Sequence, residues 1–127
     1  MLTPKPTQQI FLATEPVDMR GGFDRLAGRV VQAGLDLYGG HLFVFVSRRR
    51  THLKILTWDG SGLVILYKRL SRGRFVLPDT DPSIDARATT LDPAALATLL
   101  DGVAVVGRRR SRSARGPSPR IDTAPTL

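Results

Sequence analysis

The sequence predicts an α+β fold, in which a twisted antiparallel sheet of four or five strands carries two helices packed on one face. Three observations predict it: short β-rich runs separated by turn residues, an apolar helical stripe before them, and a capped helical segment after them. With 127 residues, 42% of them hydrophobic, the chain suits one modest core. We therefore predict a single domain over residues 1–106 and a disordered, arginine-rich tail over residues 107–127.

The strands are predicted to form an antiparallel meander over residues 41–77. Asp59–Gly62 is its strongest hairpin signal, because aspartate and glycine tolerate the backbone angles of tight turns. A further short strand, Gln9–Thr14, precedes the first helix. The predicted strands of the meander are His41–Val46, His52–Trp58, Leu63–Lys68 and Arg74–Leu77.

Two helices flank the meander in the sequence. The first is predicted to begin at Asp18, whose carboxylate suits an N-cap, or as late as Gly22, and to end at Gly34. The second is predicted over Pro93–Asp101, with Asp92 as its N-cap. The first helix is predicted from an apolar stripe formed by Met19, Phe23, Leu26, Ala27, Val30 and Val31.

Composition excludes several classes of protein. The absence of cysteine excludes a disulfide framework, a thiol nucleophile and cysteine-bound zinc, and it fits a reducing compartment. The longest apolar runs, such as Leu42–Val46, have five residues and are too short to span a membrane. The N-terminus lacks the apolar stretch of a signal peptide. We therefore expect a cytoplasmic protein that makes no membrane contact.

The net charge of +8 is unevenly distributed. Residues 107–127 hold six arginines against one aspartate, and Arg48–Arg74 holds eight basic residues against Asp59 alone. Residues 79–101 instead hold five aspartates against Arg87. A local basic block predicts a polyanionic partner better than the total charge does. The basic tail is either a non-specific nucleic-acid arm or a read-through extension without a selected role.

Two basic clusters of the meander are predicted to meet, because its first and third turns lie at the same end. Arginines beside an aromatic side chain can neutralise phosphates and stack on a base. The alternative interpretation is that charged hairpin tips are merely solvated. The candidate nucleic-acid-binding residues are Arg48, Arg49, Arg50, Lys54, Trp58, Lys68, Arg69, Arg72 and Arg74.

The sequence predicts no enzyme. It contains no nucleophile-elbow or phosphate-binding loop motif, and His41 and His52 lack a carboxylate at metal-ligand spacing. Asp18 and Asp24 lie six residues apart and do not share a helix face, so neither they nor Asp59 suggest a two-metal site. We therefore expect no catalytic residues, no metal, no cofactor and no small-molecule substrate.

Several motifs in order resemble one family, the small second-frame accessory proteins of family-66 insertion sequences. The resemblance spans roughly residues 10–103 and is specific because separate motifs recur in sequence. Gly21 departs from the family, whose members usually carry a basic residue there. The motifs are Pro16–Arg20, Gly22–Asp24, Gly40–Phe45, Arg48–Arg49, Lys54 leading to Trp58–Gly60, Tyr67–Leu70, Gly73–Phe75 and Leu99–Gly102.

The resemblance implies a bacterial mobile element whose separate, larger transposase carries the strand-transfer carboxylates. It implies that this chain assists transposition and brings no catalytic residues of its own. We expect it to bind DNA, most simply transposon DNA, through the basic patch. The alternative is an adaptor that binds the transposase of the same element without contacting DNA, and this would require an exposed apolar patch.

Overall fold

A computed structural model describes residues 7–78 and 87–103 of the chain. Their element order is β-α-β-β-β-β-α. The expectations for the loop after Pro78 and for the tail from residue 107 lie outside the described residues. The elements are β1 (Ile10–Ala13), α1 (Phe23–Gln32), β2 (Leu42–Val46), β3 (His52–Trp58), β4 (Leu63–Arg69), β5 (Ala88–Leu91) and α2 (Pro93–Asp101).

The five strands form one mixed sheet in the order β4-β3-β2-β1-β5. The pairs β2–β3, β3–β4 and β1–β5 are antiparallel, but β1 pairs parallel to β2. The prediction of a wholly antiparallel sheet is therefore wrong. A parallel pair needs a crossover connection, and α1 supplies it between β1 and β2.

The predicted fourth meander strand, Arg74–Leu77, is also wrong. Its backbone forms only an isolated bridge, in which Arg74 and Val103 exchange hydrogen bonds of 2.9 and 2.8 Å. Phe75 is fully buried, so this segment contributes a core side chain instead of a strand. The real fifth strand is β5, whose short polar sequence Ala-Thr-Thr-Leu gives little alternation to detect.

The two helices pack on opposite faces of the sheet, which corrects the prediction that they share one face. Leu26 and Val30 of α1 pack with Phe43 and Phe45 of β2. The other core cluster joins residues of α2 to the opposite face of the same strands. Its fully or nearly fully buried members are Ile10, Leu12, Leu42, Val44, Val46, Leu53, Ile55, Phe75, Leu96, Leu99 and Leu100.

The first helix begins at Phe23, later than its apolar stripe predicts. Gly22 is the N-cap in an extended conformation, without a side-chain hydrogen bond. Asp18 does not cap this helix, because its carboxylate accepts hydrogen bonds from Arg20 instead. The predicted stop at Gly34 is confirmed, since the helix ends just before it and Gly34 has a φ of 76°.

The second helix begins and ends where the sequence predicts. Asp92 caps it, accepting a 2.7 Å hydrogen bond at Oδ1 from the Ala95 N–H, and Pro93 occupies the first turn. Because β5 is antiparallel to β1, it ends where β1 begins. The helix that follows β5 then runs back along the sheet to the end where β1 and β2 finish. Gly102, with a φ of 70°, then directs the chain to the bridge with Arg74.

Candidate nucleic-acid interface

The turn between β2 and β3 presents three consecutive arginines to solvent. Ser47 shapes this turn, because its Oγ accepts hydrogen bonds from the Thr51 and His52 N–H groups at 3.3 and 3.2 Å. Arg50 has a φ of 61°, and it is the only non-glycine among the described residues with a positive φ. A left-handed conformation costs an L-residue about 1 kcal/mol, so the turn retains an arginine where glycine would be less strained.

The segment after β4 lies directly against this turn. The Leu70 N–H donates to the Thr51 carbonyl at 3.0 Å, and the Phe75 N–H donates to the Arg50 carbonyl at 2.7 Å. The two basic stretches of the sequence therefore adjoin at one end of the sheet, as the meander prediction required. We refer to their exposed members as the arginine cluster, which consists of Arg48, Arg49, Arg50, Arg69, Arg72 and Arg74.

Among the described residues, few acidic side chains lie near the arginine cluster. Within residues 7–78 and 87–103, the only ion pair joins Arg20 to Asp18 at 2.8 Å, and it lies in the loop after β1. Glu15 and Asp101 are exposed at the same end of the sheet but form no ion pair with a described residue. These two carboxylates therefore reduce the positive field of the cluster without cancelling it.

Arg20 and Asp18 form the strongest electrostatic contact at this end. Hydrogen bonds from the Arg20 guanidinium, together with its backbone N–H, lower the pKa of Asp18 from 3.8 to about 2. Because the pKa of the carboxyl group is lowered by folding, the pair contributes stability above pH 3.8. That contribution disappears as the pH falls through about 2.

We expect a carboxyl NMR titration of the intact protein to give Asp18 a pKa of about 2. In Arg20→Gln the pKa should rise toward 3.8 without reaching it, because the backbone N–H of residue 20 still donates to Oδ1. An Asp18 pKa that is unchanged in Arg20→Gln would contradict the assignment of the shift to the guanidinium.

Lys54 belongs to the core of the domain and not to the exposed cluster. It is only 8% exposed, and its Nζ donates to the carbonyls of Met19 at 2.7 Å and Gly21 at 2.9 Å. The ammonium also lies 4.8 Å from the centre of the Tyr67 ring. Two of the three donors of the ammonium are therefore used inside the fold.

Lys68 directly precedes Arg69 on β4, but its side chain contacts α2, whereas Trp58 lies far from the arginine cluster. Lys68 Nζ donates to the Leu100 carbonyl at 2.6 Å, where a cation stabilises the last turn of α2. Trp58 is half-buried at the opposite end of β3, about 20 Å along the strand from His52, and packs edge-to-face on Tyr38 with ring centres 5.1 Å apart. Trp58 therefore lies outside the cluster, and one donor of the Lys68 ammonium is used by α2.

Tyr67 is the aromatic residue closest to the cluster along the sheet. It is 53% exposed on β4, two positions before Arg69, and its ring centre lies 5.9 Å from that of His52 on β3. Strand periodicity places Tyr67 and Arg69 on the same face. That alternation was the available signal for selecting Tyr67 over Trp58, which the sequence-based site included instead.

A groove runs beside the cluster, between the loop after β1 and the β2–β3 turn. The Val17 N–H donates to the Val46 carbonyl at 3.1 Å and fixes the loop against β2. One wall carries basic and hydroxyl side chains, and the other carries the Asp18 carboxylate. Its lining residues are Pro16, Val17, Asp18, Met19, Ser47, Arg48, Arg49, Thr51 and His52.

The described residues contain no group of three or more histidines or acidic residues that could hold a metal ion. Asp59, one of the carboxylates considered for catalysis, instead closes the β3–β4 hairpin. It accepts from the Ser61 and Gly62 N–H groups at 2.9 Å, and these hydrogen bonds lower its pKa. Also within the described part of the chain, none of the helices combines the length and apolar character of a membrane span.

The described residues form a small mixed sheet with exposed arginines at one end. Residues 8–110 match the family described as IS66 Orf2 like protein. The chain therefore belongs to this insertion-sequence family, which confirms the resemblance drawn from the motifs and points to an accessory role in transposition.

Two curated relatives come from Sinorhizobium fredii (strain NBRC 101917 / NGR234). Uncharacterized protein y4hO is 40% identical over 104 residues, which cover 81% of this chain and 87% of the relative. Uncharacterized protein y4jC is 40% identical over 79 residues, covering 61% of this chain and 68% of the relative. No solved structure matches the chain.

Proposed function

We propose that this protein assists transposition by binding the phosphate backbone of DNA through the arginine cluster. The observation that supports this most strongly is the joining of two arginine-bearing segments by the Leu70–Thr51 and Phe75–Arg50 backbone hydrogen bonds. These bonds hold six exposed guanidinium groups at one end of a rigid sheet. Guanidinium groups bind phosphate oxygens in a fixed, often bidentate geometry.

The proposed contact is with the backbone and not with base edges. The members of the arginine cluster lie on the β2–β3 turn, at the end of β4 and in the segment after β4, and none of them belongs to a described helix. Turns carrying arginine contact phosphates and position a protein on DNA, but such contacts carry no sequence information by themselves. Target choice would then fall to the transposase encoded by the same element.

A salt titration of DNA binding tests the proposal. The protein should be full length, with the arginines of residues 108–120 replaced by serine so that the tail cannot mask the cluster. If three to five of the cluster's arginines reach phosphates, log affinity should fall with log salt at a slope of about −3 to −4.5. No salt-dependent binding to duplex or single-stranded DNA would overturn the proposal and favour the adaptor that binds the transposase.

Arg50 offers a test in which stability and binding change in opposite directions. Arg50→Gly should increase the free energy of unfolding by about 0.5–1 kcal/mol, because glycine adopts the left-handed conformation without strain. The same change should weaken DNA binding and reduce the magnitude of the salt slope by about one unit. Urea unfolding and the salt titration measure the two effects.

Arg50→Lys is the matched control for this test, since it retains both the charge and the backbone strain. Its stability should equal that of the parent, and its salt slope should be unchanged. If Arg50→Gly gains stability without losing affinity, Arg50 does not contact phosphate. If it loses stability, the left-handed conformation is not the source of strain.

We also propose that the protein has no nuclease or strand-transfer activity by itself. Asp18 is engaged by Arg20 and Asp59 by its own hairpin, so neither carboxylate is arranged to share a metal ion with another. Purified protein with Mg²⁺ or Mn²⁺ should leave transposon-end DNA intact. Cleavage that is abolished by Asp18→Ala or Asp59→Ala would contradict this.

A further inference from the structure

The outer edge of β4 has the properties of a surface that pairs with another strand. Within residues 7–78 and 87–103, β3 is the only strand that pairs with β4, so β4 terminates the sheet. Its seven residues pair with β3 in continuous register without a bulge, and they contain no proline. Bulges, prolines and very short strands protect many free edges, and β4 has none of these three. Its charged residues, Lys68 and Arg69, lie together at one end of the strand.

The hydrogen-bond pattern identifies which backbone groups face outward. Asp59 N–H donates to the Gly62 carbonyl and Leu70 N–H to the Thr51 carbonyl, so even-numbered residues of β4 bond to β3. The odd-numbered residues Leu63, Ile65, Tyr67 and Arg69 therefore direct their N–H and C=O groups away from the sheet. These four residues form a row of backbone donors and acceptors at the free edge.

We propose that the β4 edge pairs antiparallel with the β4 edge of a second copy of this chain. The outward-facing residues are self-complementary about Leu66: Ile65 lies opposite the second copy's Tyr67, and Leu63 opposite its Arg69. This register forms about eight backbone hydrogen bonds and leaves no outward group of β4 unused. The two sheets then join into one continuous sheet.

Charge along the edge favours this antiparallel arrangement over a parallel one. One end of β4 carries Arg69 and the nearby Arg72, whereas the hairpin at its other end carries Asp59. Antiparallel pairing places the arginines of each copy at the end of the other copy's β4 whose hairpin carries Asp59. Parallel pairing would place the arginines of both copies together, and like charges opposite each other destabilise a sheet.

Apolar side chains along the edge favour a second copy as the occupant. Tyr67 and Val64 are 53% and 42% exposed in the single chain. In the proposed register Tyr67 packs beside the second copy's Ile65, and Val64 packs beside the stem of its Lys68. The other edge strand, β5, has four residues with a threonine pair at its centre, and it offers neither this length nor this apolar surface.

Mass measurements on the full-length chain test the proposal. Sedimentation equilibrium between roughly 1 and 100 μM should show a concentration-dependent dimer at twice the 13.9 kDa of one chain. Tyr67→Pro removes one outward N–H at an exposed position and should leave only monomer, while circular dichroism confirms that it is folded. A chain that stays monomeric at all these concentrations overturns the proposal, as does a folded Tyr67→Pro that still dimerises.

A pair of variants tests the side-chain contact. Val64→Lys places a positive charge opposite the second copy's Lys68, whereas Val64→Glu places a negative charge there, and both lose the same apolar surface. The dimer dissociation constant of Val64→Lys should exceed that of Val64→Glu by about tenfold. Val31→Lys, at a 62% exposed site on α1, should leave the dissociation constant unchanged. Equal constants for the two Val64 variants would overturn this register.

Disulfide cross-linking tests the register directly, because the chain has no cysteine of its own. At the two-fold axis, the Leu66 Cα atoms of the two copies would be about 4.5 Å apart, within the range that a disulfide bridges. Leu66→Cys should therefore cross-link on mild oxidation. Val64→Cys should not, since its Cα atoms would be about 14 Å apart. The reverse result overturns the register, and neither measurement involves DNA, so the outcome is independent of the proposed function.

Discussion

Replacing Arg48, Arg49 and Arg50 together with alanine is expected to flatten the salt slope of DNA binding by up to about three units. Each of these side chains is exposed on one turn, and none is paired with a described carboxylate. Removing a phosphate contact also removes the counterion release that accompanies it. Binding should weaken equally for all DNA sequences, because phosphate contacts carry no base preference.

Stability should be almost unaffected by this triple substitution. Surface changes away from buried contacts alter the free energy of unfolding by about 0.5 kcal/mol or less. The backbone hydrogen bonds of the turn, including those to Thr51 and Phe75, do not depend on the arginine side chains. Urea unfolding of the variant therefore separates a binding defect from a folding defect.

Trp58→Ala provides the matched comparison for this prediction. Because Trp58 lies at the far end of β3 and packs on Tyr38, its loss should reduce stability by roughly 1.5–3 kcal/mol and leave the salt slope unchanged. Tyr67→Ala should instead lower single-strand affinity, by about 1–3 kcal/mol if a base stacks on its exposed ring.

A triple arginine variant that binds DNA with the parental salt slope would show that the cluster is only a solvated surface.

Local sequence signals predicted the elements that have their own turn or cap chemistry. Asp59–Gly62 specified the β3–β4 hairpin through the carboxylate that bonds the two following backbone amides. Asp92 and Pro93 specified the start of α2. These residues act on neighbours within three positions, so their effect can be derived without knowing the rest of the fold.

Longer-range features of the sheet could not be derived in the same way. Every residue of β2 is buried, because α1 covers one face and α2 the other. An uninterrupted apolar strand of this kind indicates a sheet covered on both faces, and it was the available signal against placing both helices on one side. The parallel pairing of β1 with β2 rests on register between residues 32 positions apart, as in Ile10 with Leu42.

The sequence could predict where the basic residues on turns lie, but not the role of the basic residues on strands. Arginines at adjacent turns of a meander must lie at one end of the sheet, and Arg48–Arg50 does adjoin the segment after β4. For Lys54 and Lys68, sequence provides only the charge. Their role depends on which carbonyl faces each ammonium across the fold, and these carbonyls belong to residues more than 30 positions away.

Lys54→Met is expected to reduce the free energy of unfolding by about 2–4 kcal/mol. Methionine retains the apolar stem but leaves the carbonyls of Met19 and Gly21 without their donor, and Gly21 is buried. The loop that leads into α1 then loses the two hydrogen bonds that join it to the Lys54 side chain on β3. The loss is measured by urea unfolding of the full-length protein.

Lys68→Met is the control for Lys54→Met, because it removes a half-buried ammonium that bonds a single carbonyl, that of Leu100. Its cost should be about 1–1.5 kcal/mol, smaller than that of Lys54→Met. If Lys54→Met is instead as stable as the parent, the desolvation of the buried ammonium cancels what its hydrogen bonds contribute. At a temperature where Lys54→Met is folded, its DNA-binding salt slope should equal that of the parent, since the Lys54 ammonium is already bound to carbonyl oxygens. If the salt slope of Lys54→Met is instead flatter by one unit, Lys54 contacts a phosphate and belongs to the DNA-binding surface.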